Sequence, residues 1–178
     1  MKSKIKQEIF EWCKTIVISL VIAIGISLAA LPTIVNGQSM YPTLENNDLL
    51  LVNKLTYKSG VPNRGDIIIF HTDLVDQTTN KNKDLVKRVI ALPNEHLIIK
   101  DGKVYINDEL LDEDYINGVY TEGDIDIIVP SNHVFAMGDN RPNSDDSRKS
   151  YVRSVALEDI VGKAFIRVYP FNEMKKFD

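Results

Sequence analysis

The chain has 178 residues, 44% hydrophobic and 26% charged, which is the composition of a folded domain with a real core rather than of a disordered segment. A formal net charge of −4 argues against a nucleic-acid binder, which carries a basic face. The single cysteine, Cys13, excludes an internal disulfide and a cysteine-rich metal site.

Residues 1–14 carry Lys2, Lys4, Lys6 and Lys14 against Glu8 and Glu11, and no further charge occurs before Glu45. Within that gap "TIVISLVIAIGISLAALPTIV", residues 15–35, is almost wholly apolar, and about 20 helical residues span a bilayer core. The lysines before it predict residues 1–14 in the cytoplasm and residues 36–178 outside a single-pass anchor in the cytoplasmic membrane. Phe10 and Trp12 fall where interfacial aromatics sit, and Cys13 reads as a buried or lipid-facing thiol. A cleavable leader is the competing reading, because Ser27 and Ala29 are small residues two apart. The length of the apolar run favours a retained anchor.

Beyond residue 48 the pattern is strand-like. "LLLVNKL" (Leu49 to Leu55) and "DIIIF" (Asp66 to Phe70) are short aliphatic runs joined through the turn "NRGD". "DLVDQTTNKNKD", Asp73 to Asp84, is polar and predicts a surface loop between strands. "HLIIKDGKVYINDELL" predicts a meander with turns at Asp101-Gly102 and Asn107-Asp108, and "DIDIIV", "HVFAMG" and "GKAFIRVYPF" predict further strands. "VALEDIVGK" has room for one helical turn. The expected fold is mainly β: an antiparallel sheet domain, a small inserted hairpin subdomain at about 95–132, and one N-terminal transmembrane helix.

Ser39 stands in "VNGQSMYPTLENND", between a glycine and a proline-braced turn. A serine hydroxyl needs an adjacent base to become a nucleophile. His71 and His133 supply candidates by composition, but with His96 they form no metal-binding spacing. The other candidate base is a lysine that burial has stripped of its proton, which must sit in an apolar strand away from carboxylates. Lys87, between Val86 and Val89 in "DLVKRVIALP", meets the first condition, though an arbitrary lysine on an edge strand is usually solvated. Strand alternation points Lys87 and Arg88 to opposite faces. Ser3 to Lys6 also fits S-x-x-K, but it precedes the anchor. "MGDNRPNSDDSR", Met137 to Arg148, sets Asp139, Arg141, Asp145, Asp146 and Arg148 close together. It reads either as a solvated loop or as an ion-pair network beside a site.

Taken together, the single anchor, "SMYPTL", "RGDIIIF", "VKRVIALP" and "GDNRPNSDDSR", in that order over nearly the whole chain, resemble the type I signal peptidases, in particular the short Gram-positive type. The resemblance implies a membrane-anchored serine endopeptidase with a Ser/Lys dyad, no cofactor and no metal. Ser39 would be the nucleophile, Lys87 the general base, and Ser144 a hydroxyl that directs the lysine amine. Gly138, Asp139, Asp146 and Arg148 would support the loop. Gly37 and Ser39 would offer backbone N–H groups to an oxyanion. Thr33, Val35, Met40, Leu44 and Val86 would line shallow pockets for small side chains, with Met40 equally readable as a core filler. Asp84, Leu85 and Val86 would pair with the substrate as a strand. The implied partners are signal peptides of secreted preproteins, the lipid bilayer and the protein-export machinery. "KSYVRSV" departs from the family pattern by lacking an aromatic-glycine pair and carrying Arg153. A non-catalytic binding module and a soluble Ser/Lys self-cleaving regulator are the competing classes. The presence of both Ser39 and Lys87 weakens the first, and the anchor and acidic exterior weaken the second.

Overall fold

The N-terminal apolar run winds into one helix, α1 (Lys2–Ala29), in a computed structural model that describes residues 2–58, 60–77 and 79–177. Its segment Lys6–Ala29 has a mean hydropathy of 2.1 and is not buried against the rest of the protein, so its length and composition suit it to cross a membrane. The helix stops before the apolar run does. Pro32 lacks a backbone N–H and disfavours helical geometry at Leu31, and Ala30–Ile34 instead forms strand β1. The expected span 15–35 is therefore helical only to Ala29. From Thr15 to Ala29 the helix measures about 22 Å at 1.5 Å per residue, so the turns around Phe10 to Lys14 are needed to complete a crossing. Lys54 N–H donates to the Ala29 carbonyl at 2.9 Å, which joins the helix end directly to the sheet.

The strands that follow are β2 (Leu49–Asn53), β3 (Ile67–Val75), β4 (Asn82–Ala91), β5 (His96–Lys100), β6 (Lys103–Ile106) and β7 (Glu109–Leu110). Then come β8 (Ile125–Ile128), β9 (His133–Met137), β10 (Val155–Ala156), β11 (Ile160–Tyr169) and β12 (Lys175–Lys176). All pairings are antiparallel, and the larger sheet runs β1-β2-β11-β3-β4-β9-β10, with β12 added to β11. "DIIIF" is a continuous apolar run because β3 lies centrally and is covered on both faces. Ile67 and Ile69 pack with Met40, Leu44, Leu50 and Val52, while Ile68 and Phe70 pack with Val89, Val134 and Ala136. Each such burial contributes roughly 1.5–3 kcal/mol.

Two expectations change at the β3–β4 connection and near residue 157. The polar stretch Asp73 to Asp84 is strand at both ends, residues 73–75 and 82–84, so the connection between strands is shorter than expected. Polarity misled there because this end of the hairpin projects into solvent. Thr72 Oγ1 bonds the Lys83 carbonyl at 2.7 Å, and His71 meets Asp84 at 2.7 Å across the strands. The helical turn expected within "VALEDIVGK" is a single tight 3₁₀ turn, Leu157–Asp159.

The second sheet, β7-β6-β5-β8, occupies residues 96–128. Asp101 and Gly102 have φ of 52° and 77°, the positive pair that a type I′ hairpin requires, and Asn107 and Asp108 repeat it at 51° and 69°. Leu97, Ile99, Val104 and Ile106 bury their side chains against Ile90, Ala91, Phe135 and Met137 of the larger sheet. The insertion thereby stands on the base of the strands that carry Lys87 and lead into Gly138.

Candidate active site

Ser39 is held by the chain on both sides of it. After β1, Val35 N–H bonds the Asp48 carbonyl and Asn47 N–H bonds the Val35 carbonyl, closing a loop. Gly37 adopts a φ of +95°, which side-chain-bearing residues avoid. Its N–H donates to Asn46 Oδ1 at 2.8 Å. A turn follows, with Tyr41 N–H on the Gln38 carbonyl and Leu44 N–H on the Met40 carbonyl. Met40 and Leu44 are buried in the core and fix that turn, leaving Ser39 between two anchored neighbours.

Lys87 reaches Ser39 from β4. Its Nζ lies 2.7 Å from Ser39 Oγ, across 48 residues of sequence, and donates to the Val86 carbonyl at 3.0 Å. The residue is 1% exposed, so the solvated-lysine reading fails. Burial lowers the lysine pKa to about 8, against the opposing fields of Asp146, Asp145 and Asp139. None of these carboxylates forms an ion pair with the amine. A lysine so placed can take a proton from the hydroxyl beside it. Neither His71, paired with Asp84, nor His133 is bonded to Ser39 among the described residues.

The loop of residues 138–148 lies over this pair, and much of it is buried rather than solvated. A Cβ added to Gly138 would sit 2.3 Å from both the Ser39 carbonyl oxygen and Ser144 Oγ, so only glycine fits. Asp139 receives two hydrogen bonds from Arg88, at 2.9 and 2.7 Å, and the Arg88 guanidinium stacks 4.1 Å above the Tyr115 ring. Asp146 accepts from Arg148 twice at 2.8 Å and from Gly138 N–H at 3.1 Å. Burial alone would raise the Asp146 carboxyl, but Arg148 and the Gly138 N–H overcome it and hold the group below the ordinary carboxylate range. Ser144 Oγ is buried beside Asp146 without a well-formed hydrogen bond among the described residues. The expected contact between Ser144 and the Lys87 amine is therefore not made in this conformation.

Sequence reasoning missed the roles of Asn46 and Asn140 in the site, and it named Arg141 in an ion-pair network without its partners. Asn46 Oδ1 accepts the Gly37 N–H, one of the two expected oxyanion donors, while the other, Ser39 N–H, donates to no described residue. Asn140 bonds twice to the Ser39 turn, its N–H to the Ser39 carbonyl at 3.0 Å and its Nδ2 to the Gln38 carbonyl at 2.9 Å. Arg141, buried, crosses to the insertion and bonds Glu113 and Thr121. The Asn140 and Arg141 contacts join segments far apart in sequence, and the Asn46 contact closes a loop of nine residues; no local pattern announces any of them.

A cleft of about 910 Å³ opens at the Ser39–Lys87 pair and is lined by Gly37, Ser144, Thr33, Val35, Met40, Asp84, Leu85 and Val86. Leu44 is the exception among the expected pocket residues. It points into the core with Met40 and does not reach the cleft. Two strand edges face this space. Among the described residues β1 pairs only with β2, and residues 82–86 of β4 pair only with β3, because β9 joins β4 from Arg88 onward. Among the described residues no group of three His, Cys, Asp or Glu side chains is placed to hold a metal.

Comparison with known proteins places the chain in a family. Residues 9–169 match the family model described as signal peptidase, peptidase S26. The chain is 39% identical over 176 residues to a signal peptidase I of Leptolyngbya laminosa, covering 96% of this chain and 85% of that protein. It is 37% identical over 183 residues to signal peptidase I S of Bacillus subtilis strain 168, covering 96% and 95%. A crystal structure of a signal peptidase I from Enterococcus faecalis V583 is 33% identical, covers 57% of this chain and 95% of its own, and superposes with a TM-score of 0.46. The chain belongs to the signal peptidases of peptidase family S26, serine peptidases that remove signal peptides.

Proposed function

We propose that Ser39 and Lys87 are the catalytic dyad of this signal peptidase, acting at the outer face of the cytoplasmic membrane on preproteins with a small-x-small cleavage site. The observation that carries the reading is the 2.7 Å contact between Ser39 Oγ and a buried lysine amine. With a pKa near 8, roughly a quarter of such amines are neutral at pH 7.5, against about one in a thousand for a free lysine.

Neutral Lys87 takes the Ser39 hydroxyl proton as Oγ bonds to the scissile carbonyl carbon, whose oxygen becomes negative. Ser39 N–H faces that charge as the remaining backbone donor. The carbon–nitrogen bond then breaks, and Lys87 returns the proton to the departing amine of the mature protein. Water attacks the acyl-serine, gives its proton to Lys87, and releases the signal peptide acid and the Ser39 hydroxyl. Ser144 directs the amine in this cycle by turning its free hydroxyl toward Nζ. Gly138, Asp139, Asp146 and Arg148 keep the loop in place.

The substrate lies extended between the two open strand edges, pairing with Asp84 to Val86, and its small side chains rest on Thr33, Val35, Met40 and Val86. The helix α1 anchors the enzyme, with the lysines of residues 1–14 inside. Ten residues separate Ala29 from Ser39, so the nucleophile stays within at most roughly 35 Å of the membrane exit, where export delivers the cleavage site. The reading is tested by cleavage of a preprotein by the full chain in detergent. Ser39→Ala and Lys87→Ala should each abolish cleavage while leaving the fold intact, and full activity in either variant overturns the assignment.

A further inference from the structure

We infer that Asn140 is a positioning residue for the oxyanion donor, acting through the peptide that joins Gln38 to Ser39. The inference rests on the proposed role of Ser39 as nucleophile. That peptide is trans, since the described cis bonds precede only Pro42 and Pro170, so its carbonyl and its N–H point in opposite directions. The carbonyl belongs to Gln38 and the N–H to Ser39. Whatever fixes the first aims the second.

Two donors hold that carbonyl. Tyr41 N–H reaches it at 3.1 Å from within the turn, and Asn140 Nδ2 reaches it at 2.9 Å from the loop of residues 138–148. Both lone pairs of the oxygen are thereby used. Asn140 adds its own N–H to the next carbonyl, that of Ser39, at 3.0 Å. Two successive carbonyls of the nucleophile's turn thus bond to one residue of the opposing loop. The Ser39 N–H between them donates to no described residue and belongs to a residue lining the cleft. A donor preorganised in this way does not reorganise as charge develops, which is the condition for stabilising an oxyanion.

Among the described residues Asn140 hydrogen-bonds neither Ser39 Oγ nor Lys87 Nζ, so it separates the aim of the N–H from the basicity of the lysine. Asn140→Asp keeps the shape, removes the amide donor and sets an anionic oxygen against the Gln38 carbonyl. Asn140→Ala removes the side-chain bond and retains the backbone one.

The experiment uses the full chain in detergent, with an Ala-x-Ala peptide as substrate and the matching peptide aldehyde as a probe. The aldehyde adds Ser39 Oγ to its carbonyl carbon and places an oxygen where the oxyanion forms. Both variants should lower kcat about 10- to 100-fold with KM changed less than about threefold, a loss no larger than that of deleting one oxyanion donor outright. Aldehyde affinity should fall by the same factor as kcat/KM, while the midpoint of the acid limb of the pH–rate profile stays where the wild type has it. An unchanged aldehyde affinity, a loss confined to KM, or a displaced limb overturns the inference. Thermal unfolding of both variants separates global damage from this effect. If wild-type cleavage survives Ser39→Ala, the reading of Ser39 has failed and the inference falls with it, whereas an Asn140 outcome that fails while Ser39→Ala is inactive overturns the inference alone.

Discussion

Gly138 packs its α-carbon against the backbone of Ser39 so closely that a methyl group there would overlap the Ser39 carbonyl oxygen at 2.3 Å. The same methyl would strike Ser144 Oγ at 2.3 Å. A side chain can turn away, but a backbone carbonyl held by Asn140 cannot. Gly138→Ala should therefore push the loop off the Ser39 turn, costing about 1–3 kcal/mol of stability as overpacking. Cleavage should fall roughly 100-fold, because small displacements of catalytic groups cost that much. Combining it with Ser144→Gly should not restore activity, since the clash with Ser39 remains. Steady-state kinetics and thermal unfolding of the single and double variants check both statements.

Ser144 offers a contrast between stability and rate. Its hydroxyl is buried with no well-formed hydrogen bond, so removing it relieves a desolvation cost and gives up only a weak interaction with Asp146. Ser144→Ala should unfold no earlier than the wild type. If the hydroxyl turns to the lysine amine during the reaction, its loss should lower kcat about 10- to 100-fold, the worth of a hydrogen bond to a charged group. The variant should remain more active than Lys87→Ala. A variant with wild-type kcat sinks the directing role.

The difference between what the sequence disclosed and what it hid follows the distance over which each interaction acts. The strands, both two-residue hairpin turns and the apolar setting of Lys87 were readable, because they depend on neighbours in the chain. The end of α1 was also signalled, by Pro32, but the continuing hydrophobicity of "ALPTIV" masked it. Leu44 was placed in the cleft and lies in the core, because a turn residue's direction depends on the packing of β2 and β3 beneath it. Gly37 was expected to donate to the substrate and donates to Asn46 instead. Asn140 to Gln38 spans 102 residues, and Arg141 to Glu113 links the loop to an insertion whose position only the folded sheets determine.

Asp146 makes the loop sensitive to acid. Its carboxyl is held below the ordinary value of 3.8 by Arg148 and the Gly138 N–H, against the opposite pull of burial. A depressed carboxylate contributes stability that is fully present above its unfolded pKa and is lost as pH falls through the folded one. Asp146→Asn should leave the Arg148 guanidinium buried and unpaired, costing about 3–5 kcal/mol near neutrality. The gap to the wild type should narrow as pH drops below about 4, where the unfolded carboxyl takes its proton. Denaturation midpoints at pH 7 and pH 3 test this, and a gap that does not change with pH counts against it.

As the proposed base, Lys87 would set catalysis against stability. Its amine has a pKa of about 8 in the fold against 10.5 for the free side chain, with burial as the leading cause. The unfolded chain therefore binds more protons between these values, so stability rises with pH across that window. Below pH 8 the full penalty stands, about 3 kcal/mol for a shift of this size. Above pH 10.5 it is gone. Lys87→Met fills similar space without a charge, so it should abolish cleavage and yet unfold later than the wild type at pH 7. That advantage should shrink as pH rises through the same window. Wild-type kcat/KM should climb with pH to a half-maximal value near 8, because only the neutral amine accepts the Ser39 proton. The two measurements are linked through one ionisation. A rate limb far from pH 8, or a Lys87→Met variant less stable than the wild type at pH 7, would count against Lys87 as the titrating base.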